Sequence, residues 1–260
     1  MASANSKQLA DNLTAVRRRI ATACATSGRD PNDIVLVGVS KTKPADAIAA
    51  LYAQGVREFG ENYLDEASDK IEALKQLNVI WHYIGRIQSN KSRLIAEQFD
   101  WVHTIDRAKI ARRLGEQCPP TKRLNVLLQI NIDRDPAKAG VLPENAEALL
   151  DAILEQPSLI PRGLMTILAQ PTMPSSDHQR LTPPGEDKRN PAIASGASYR
   201  SMAQLASKLR SHLPVSMQAG WNVLSMGMTG DLEAAIEAGA THVRIGTALF
   251  GERIPRAQSD

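Results

Sequence analysis

One pattern repeats along the whole chain: a short run of β-branched or aromatic residues, a turn, then a stretch with helical spacing. Strand-like runs stand at Ile34–Lys41, Glu58–Glu61, Trp81–Gly85, Trp101–Ile105, Asn125–Ile132, Arg162–Leu168, Asn222–Met226 and His242–Gly246. Helix-like stretches open near Pro44, Tyr63, Ser89, Arg107, Pro143, Tyr199 and Thr229. Strands separated by helices are joined by crossovers, which makes them parallel and covers them with helix. Runs such as Val35-Leu36-Val37-Gly38-Val39 lack the polar alternation of a half-exposed strand and predict burial on both faces. Eight such strands, each but the last followed by a helix, predict an α/β fold, a single (β/α)8 TIM-like barrel. A doubly wound sheet is the alternative, but no glycine-rich dinucleotide turn follows the first strand. An amphipathic stretch from Lys7 to Ser27 lies outside this count and predicts an extra N-terminal helix.

The rhythm breaks once. Residues 171–198 are rich in Pro, Ser, Asp and Gly, with Pro183-Pro184-Gly185 at their centre and no periodicity. Such a stretch cannot bury a face, so it predicts an exposed or disordered insertion in one domain spanning 1–260. It follows the sixth strand, at the mouth of a barrel, and reads as a tolerated surface loop or as a lid.

The 260 residues are 43% hydrophobic, enough for one barrel-sized core. A net charge of +3 is far from the footprint of a dedicated nucleic-acid binder. The run Arg17-Arg18-Arg19 sits in the leading amphipathic pattern and reads as a solvated helix face. Cys24 and Cys118 stand far apart, with neither a disulfide framework nor a zinc spacing. No His/Asp/Glu cluster has metal spacing, so no metal is expected. The polar first residues lack the apolar core of a signal peptide, and no apolar run approaches a membrane span. The expectation is a cytoplasmic protein that binds neither membrane nor nucleic acid.

The residues that can carry chemistry stand at strand ends. Lys41 closes the first strand, just before Pro44 opens a helix. The carboxyl ends of barrel strands are where active sites form. A lysine there is either an amine nucleophile or a side chain that snorkels to solvent. Two glycine-bearing turns follow the last two strands, Ser225-Met226-Gly227-Met228-Thr229-Gly230 and Arg244-Ile245-Gly246-Thr247. Loops seven and eight are the usual phosphate site of such barrels, so Ser225, Gly227, Gly246 and Thr247 form a candidate anion cradle. Arg244 lies within an apolar strand and needs an acceptor, either an internal carboxylate or a ligand. Asn62 reads as a site residue or a helix cap, and His82 as an acid–base group or a hydrogen-bonded core histidine. Lys91 reads as an anion contact or a solvated side chain. Met165, Met226 and Met228 read as core or pocket lining.

Taken together, Val39-Ser40-Lys41-Thr42-Lys43-Pro44, Phe59-Gly60-Glu61-Asn62-Tyr63, Trp81-His82-Tyr83-Ile84-Gly85, Gln88-Ser89-Asn90-Lys91, Gly163-Leu164-Met165, Ser225-Met226-Gly227-Met228 and Val243-Arg244-Ile245-Gly246-Thr247 resemble the pyridoxal phosphate homeostasis protein family. The resemblance covers nearly the whole chain except its start and the 171–198 stretch. It implies a fold like the barrel domain of alanine racemase, with pyridoxal 5′-phosphate (PLP) held as a Schiff base on Lys41. It also implies phosphate contacts at Ser225, Gly246 and Thr247, Arg244 facing the pyridine nitrogen, and Asn62, Met165, Met226 and Gly227 near the cofactor. Two departures stand out: Thr229 replaces the usual serine after Ser-Met-Gly-Met, and the insertion is longer than the family pattern.

The resemblance implies a carrier rather than a catalyst. A cationic Arg244 disfavours a protonated ring nitrogen and weakens the electron sink. The racemases that share the barrel carry an added β domain with a tyrosine acid–base, for which this chain is expected to have no counterpart. The expected function is non-catalytic PLP binding in intracellular PLP homeostasis, by a monomer that hands PLP to PLP-requiring apoenzymes. The alternatives are a low-rate PLP-dependent amino-acid racemase and a Schiff-base aldolase.

Overall fold

The structure, a computed structural model, describes residues 2–168 and 191–251. Helix α1 spans Ala2–Ser27, followed by β1 (Val35–Val39), α2 (Ala45–Ala53), β2 (Glu58–Glu61), α3 (Leu64–Ala73) and β3 (Ile80–Tyr83). The chain continues through α4 (Ser92–Gln98), β4 (Trp101–Ile105), α5 (Ala108–Gln117), β5 (Leu124–Gln129), α6 (Ala146–Leu154) and β6 (Leu159–Met165). It then runs through α7 (Pro191–His212), α8 (Val215–Gln218), β7 (Val223–Ser225), α9 (Leu232–Glu237), β8 (His242–Ile245) and α10 (Thr247–Phe250). The eight strands close into one barrel in chain order, all parallel. This is the single (β/α)8 barrel with an extra N-terminal helix that the alternation predicts.

Two expectations shift. Helix α7 begins at Pro191 rather than near Tyr199, so the end of the expected 171–198 insertion is helical. The rest of that insertion lies outside the described residues. The last strand is also followed by a helical turn, α10, which the sequence pattern did not predict.

Strand alternation separates two layers. Val126, Leu128, Leu164, Val243 and Ile245 belong to the large apolar cluster that includes the helix residues Ile48, Leu51, Ile95, Leu114 and Leu150. They therefore face outward, and the residues between them face the lumen. Leu127, Met165 and Val223 form a small separate cluster in that lumen, with Trp101 packed on it. Much of the rest of the lumen is polar, lined by Glu58, His82, His103, Ser225, His242 and Arg244 from β2, β3, β4, β7 and β8.

Helix α1 buries Leu9, Leu13, Val16, Ile20 and Ala23, whose spacings of three and four make one stripe. It packs on α2, α9 and α10, over the seam where β8 meets β1. Arg19 from α1 forms a two-pronged pair with Glu233 at 2.7 and 2.8 Å, and its Nη2 donates to the Thr229 carbonyl at 2.8 Å. The leading helix thus braces the turn after β7. Among the described residues no helix is long and apolar enough to cross a membrane, and no His/Cys/Asp/Glu group could hold a metal ion.

Candidate active site at the carboxyl end of the barrel

Lys41 is half-buried just beyond β1, and the backbone around it is clamped. Thr42 has φ +65°, a left-handed conformation that costs a threonine free energy and must be held by its surroundings. Its N–H donates to Glu66 Oε1 on α3. The Ser40 hydroxyl donates to Glu61 Oε1 at 2.6 Å. Lys70, also on α3, donates to the Ser40 carbonyl (2.7 Å), to Glu61 Oε1 (2.7 Å) and to Glu66 Oε1 (2.6 Å). Both neighbours of Lys41 are therefore tied to one buried ionic cluster. Burial pushes the Glu61 carboxyl up, against the hydrogen bonds from Lys70 and Ser40. The other lysine of the motif, Lys43, donates to the carbonyls of Phe250 (3.1 Å) and Gly251 (3.3 Å) at the end of α10. Nothing in the local pattern pointed to Lys70, since its role depends on how α3 docks on β2.

Arg244 is 4% exposed. Its Nη1 donates to Ser225 Oγ and its Nη2 to the Thr166 carbonyl beyond β6, both at 2.8 Å. Burial pushes its pKa down, while Tyr199 and Asp231 oppose that shift. Among the described residues no carboxylate stands within ion-pair reach of it, so the internal salt bridge considered from sequence is not what it makes. Ser225 Oγ also meets His103 Nδ1 at 2.9 Å, and His103 Nε2 meets His82 Nδ1 at 2.8 Å. His82 is thus a hydrogen-bonded core histidine. Sequence reasoning passed over His103 and His242. The available signal was polar residues at alternate positions of strands expected to be buried.

The expected anion cradle is partly rearranged. Ser225 is fully buried, and its hydroxyl points into the lumen toward His103 and Arg244 instead of the turn. The hydroxyl facing the second turn belongs to Thr229, whose Oγ1 lies 3.4 Å from the Ala248 N–H. Gly227 is required where it is: its φ is +90°, and a Cβ there would stand 2.6 Å from Ala235 Cβ. Asp231 ties the turn by accepting from Met228 N (2.6 Å) and from the Tyr199 hydroxyl on α7 (2.7 Å). Gly246 lies against Val39, and Gly38 pairs with Ile245, so the turn containing Gly246 and Thr247 is beside the Lys41 segment.

The remaining candidates divide. Met165 is buried in the apolar lumen cluster, and Met226 in the helix-facing core, so their side chains are packing. Asn62, at the end of β2, keeps a buried Oδ1 with no hydrogen-bond partner. Lys91 lies 2.7 Å from Asp65, a surface pair. The structure therefore gathers Lys41, Asn62, Arg244, Gly227, Gly246 and Thr247 at the carboxyl ends of the strands, with Thr229 added.

A family model described as alanine racemase, N-terminal domain, matches residues 6–254. A pyridoxal phosphate homeostasis protein of Pseudomonas aeruginosa is 45% identical over 246 residues, which cover 94% of this chain and 96% of that protein. Among solved structures, PipY of Synechococcus elongatus with PLP bound matches with a TM-score of 0.73 at 32% identity, over 94% of this chain and 100% of that one. Alanine racemase of Corynebacterium glutamicum shares the fold alone, with a TM-score of 0.62 at 16% identity over 98% of this chain and 63% of that one. With its barrel, strand-end lysine and paired turns in this arrangement, the chain belongs to the pyridoxal phosphate homeostasis protein family, built on the N-terminal domain fold of alanine racemase.

Proposed function

We propose that this chain is a non-catalytic carrier of PLP, a single domain over 1–260 that holds the cofactor through Lys41. The observation that carries this reading is the clamped Lys41 at the mouth of the barrel, sharing that mouth with a buried Arg244 that makes no ion pair with a carboxylate among the described residues. The residues present fit the cofactor. Asn62 Oδ1 is a buried acceptor left without a donor, which a polar ring substituent satisfies. The turns at Gly227–Thr229 and Gly246–Ala248 bring the Thr229 and Thr247 hydroxyls to the place a phosphate would take, with the Met228 N–H held by Asp231 and the Ala248 N–H by Thr229. Bound PLP supplies an electrophilic aldehyde and an electron-withdrawing ring.

The protein's own residues then have distinct tasks. Lys41 supplies the attaching amine, and the Ser40–Glu61–Lys70–Glu66 cluster fixes where that amine stands. Arg244 would meet the ring nitrogen as a permanent cation and disfavour a proton on it, which would favour holding over carbanion chemistry. Ser225 and Met165 shape the floor from within the packed strands, while Met226 packs behind it against the helices. Relatives named for PLP homeostasis support the carrier reading.

The proposal places the protein in the cytoplasm as a monomer that releases PLP to apoenzymes, without nucleic-acid or membrane contacts. Two buried, unpaired cysteines support that compartment. The test is to load purified protein with PLP, reduce it with borohydride and map the adduct. Attachment at Lys41, and its loss in Lys41→Ala, is expected; an adduct that persists in the variant defeats the assignment. A racemase reading has the shared fold in its favour, and rapid Lys41-dependent deuterium exchange at amino-acid Cα would establish it instead.

A further inference from the structure

Behind Arg244 the lumen holds a chain of polar side chains that neither cofactor attachment nor phosphate binding uses. Glu58 Oε2 stands 2.9 Å from His82 Nε2. His82 Nδ1 is 2.8 Å from His103 Nε2, His103 Nδ1 is 2.9 Å from Ser225 Oγ, and Arg244 Nη1 donates to that same oxygen at 2.8 Å. The chain starts at the amino end of β2 and finishes beside Arg244 at the carboxyl end of β8. At its start, Glu58 lines a cavity of about 490 Å³ together with Arg17 and Arg57, so this end is reached from outside the barrel.

Donor counting gives the chain one direction. A guanidinium only donates, so Ser225 Oγ accepts from Arg244, and His103 Nδ1 is the other polar atom its hydroxyl reaches; the polarity that gives the Ser225 hydrogen an acceptor points it at His103 Nδ1. Complete burial, with the Arg244 guanidinium nearby, holds His103 well below the ordinary histidine range, so its ring is neutral. Its one hydrogen is then on Nε2 and is donated to His82 Nδ1. That leaves His82 with hydrogen on Nε2, toward Glu58. Burial opposes the charge on Glu58, but the His82 contact outweighs it and keeps the carboxyl below its usual range. This last contact has the distance but not the alignment of a hydrogen bond, and is the weakest link.

The neighbours hold the path in place. His82 stacks on Trp101 with centroids 5.6 Å apart and planes 10° apart. Arg162 from β6 stands 5.6 Å from the other partner of that stack, the Trp101 ring. The His242 ring on β8 is 6.4 Å from both His82 and His103. Tyr199 and Asp231 act on Arg244 from the side of α7 and the β7–α9 turn.

We propose that Glu58, His82, His103 and Ser225 form an orienting relay for Arg244. It commits Nη1 to Ser225, fixes the direction in which the remaining N–H groups point, and lets the state of Glu58 at one end of the barrel be felt at the guanidinium at the other. These are positioning residues, since they act on the cofactor through Arg244. The effect on the ring nitrogen rests on the PLP reading; the direction of the relay does not.

Two measurements test it. In protein without cofactor, long-range 15N–1H spectra between pH 8 and pH 6 are expected to show His103 as the Nε2–H tautomer, with a hydrogen on His82 Nε2. A His103 that carries its hydrogen on Nδ1, or that is an imidazolium in that range, overturns the relay. In PLP-loaded protein, His103→Phe keeps the bulk and removes both nitrogens. It is expected to weaken PLP binding by about tenfold and to move the pH midpoint of the bound chromophore. His103→Gln, with one acceptor and one donor, restores most of both. Glu58→Gln moves the midpoint in the same direction by less. Wild-type affinity and midpoint in both His103→Phe and Glu58→Gln overturn the proposal. If His103→Phe does not fold, His103→Gln, Glu58→Gln and the tautomer spectra still decide it. A wild-type protein that takes up no PLP defeats the cofactor reading instead, and the tautomer spectra then decide the relay alone.

Discussion

The two faces of the barrel wall are built of different material. The outward face meets the helices through an almost wholly apolar layer, in which Leu51, Phe59, Val102, Leu114 and Leu164 are all fully buried. The inward face gives one side to a small apolar cluster around Leu127, Met165 and Val223. It gives the other side to Glu58, three histidines, Ser225 and Arg244. Each fully buried aliphatic or aromatic side chain contributes about 1.5–3 kcal/mol. Buried polar groups contribute only about 0.5–1.5 kcal/mol net per hydrogen bond once paired. The outer layer therefore supplies stability, and the lumen converts part of that surplus into a defined setting for one arginine.

Lys70 is the sharpest challenge to this division, because it is a charge in the outer layer. Lys70→Met removes the cation that pairs with the fully buried Glu61 and with Glu66. Breaking a buried pair from one side costs about 3–5 kcal/mol, so a large fall in the urea midpoint is expected. If the clamp positions Lys41, PLP attachment also slows, and Lys70→Arg recovers part of it. Stability lost with attachment unchanged would make the cluster purely structural.

Leu114→Ala tests the layer in its pure form. The side chain is fully buried on the inner face of α5, far from the mouth. The expected cost is about 3 kcal/mol, with the borohydride-fixed adduct at Lys41 unaffected. A changed adduct yield would mean that the two faces are coupled more tightly than their chemistry indicates.

The lumen has its own signature in pH. Burial lowers His242 to about 4, and His82 acts in the same direction. A histidine held neutral when folded takes up a proton on unfolding below its free value of about 6.5. Its contribution is therefore intact above that pH and declines as pH falls toward about 4, by up to about 3 kcal/mol. Glu58, with a lowered pKa, adds its own loss only below the ordinary carboxyl range. Denaturation midpoints between pH 7 and pH 4 should show this slope, and His242→Phe should reduce it, with the fully buried His103 supplying the remainder. An unchanged slope would move the cause to other groups.

Much of this was legible in the linear chain. The runs that predicted strands all became strands, because a buried parallel strand is marked by a local composition. Lys41 and Lys43 separate on local grounds too: one ends the strand, and the other lies beside Pro44 and reaches α10. The two turns after β7 and β8 were legible as glycines at strand ends, but the directions of their hydroxyls were not. Ser225 looked like the cradle donor, and Thr229 like a mild substitution. Facing direction depends on strand parity, and a one-residue change exchanges lumen for outer face. Ser225 ends β7 in the inward phase, so its hydroxyl belongs to the lumen. Thr229 lies beyond the strand, where the turn at Gly227 sets direction instead.

By itself, then, the sequence determined the β/α alternation, the barrel it implies and the place of Lys41, since periodicity and strand ends are properties of neighbouring residues. Only the tertiary structure decided which polar groups meet. His103 finds Ser225 across 122 positions, Arg244 reaches the Thr166 carbonyl across 78, and Lys70 crosses 30 to hold Ser40. Each pairing depends on barrel closure, on register and, for β4, on an irregularity between Val102 and Ile105. These are settled by the packing of all eight strands at once, which no local stretch of chain encodes.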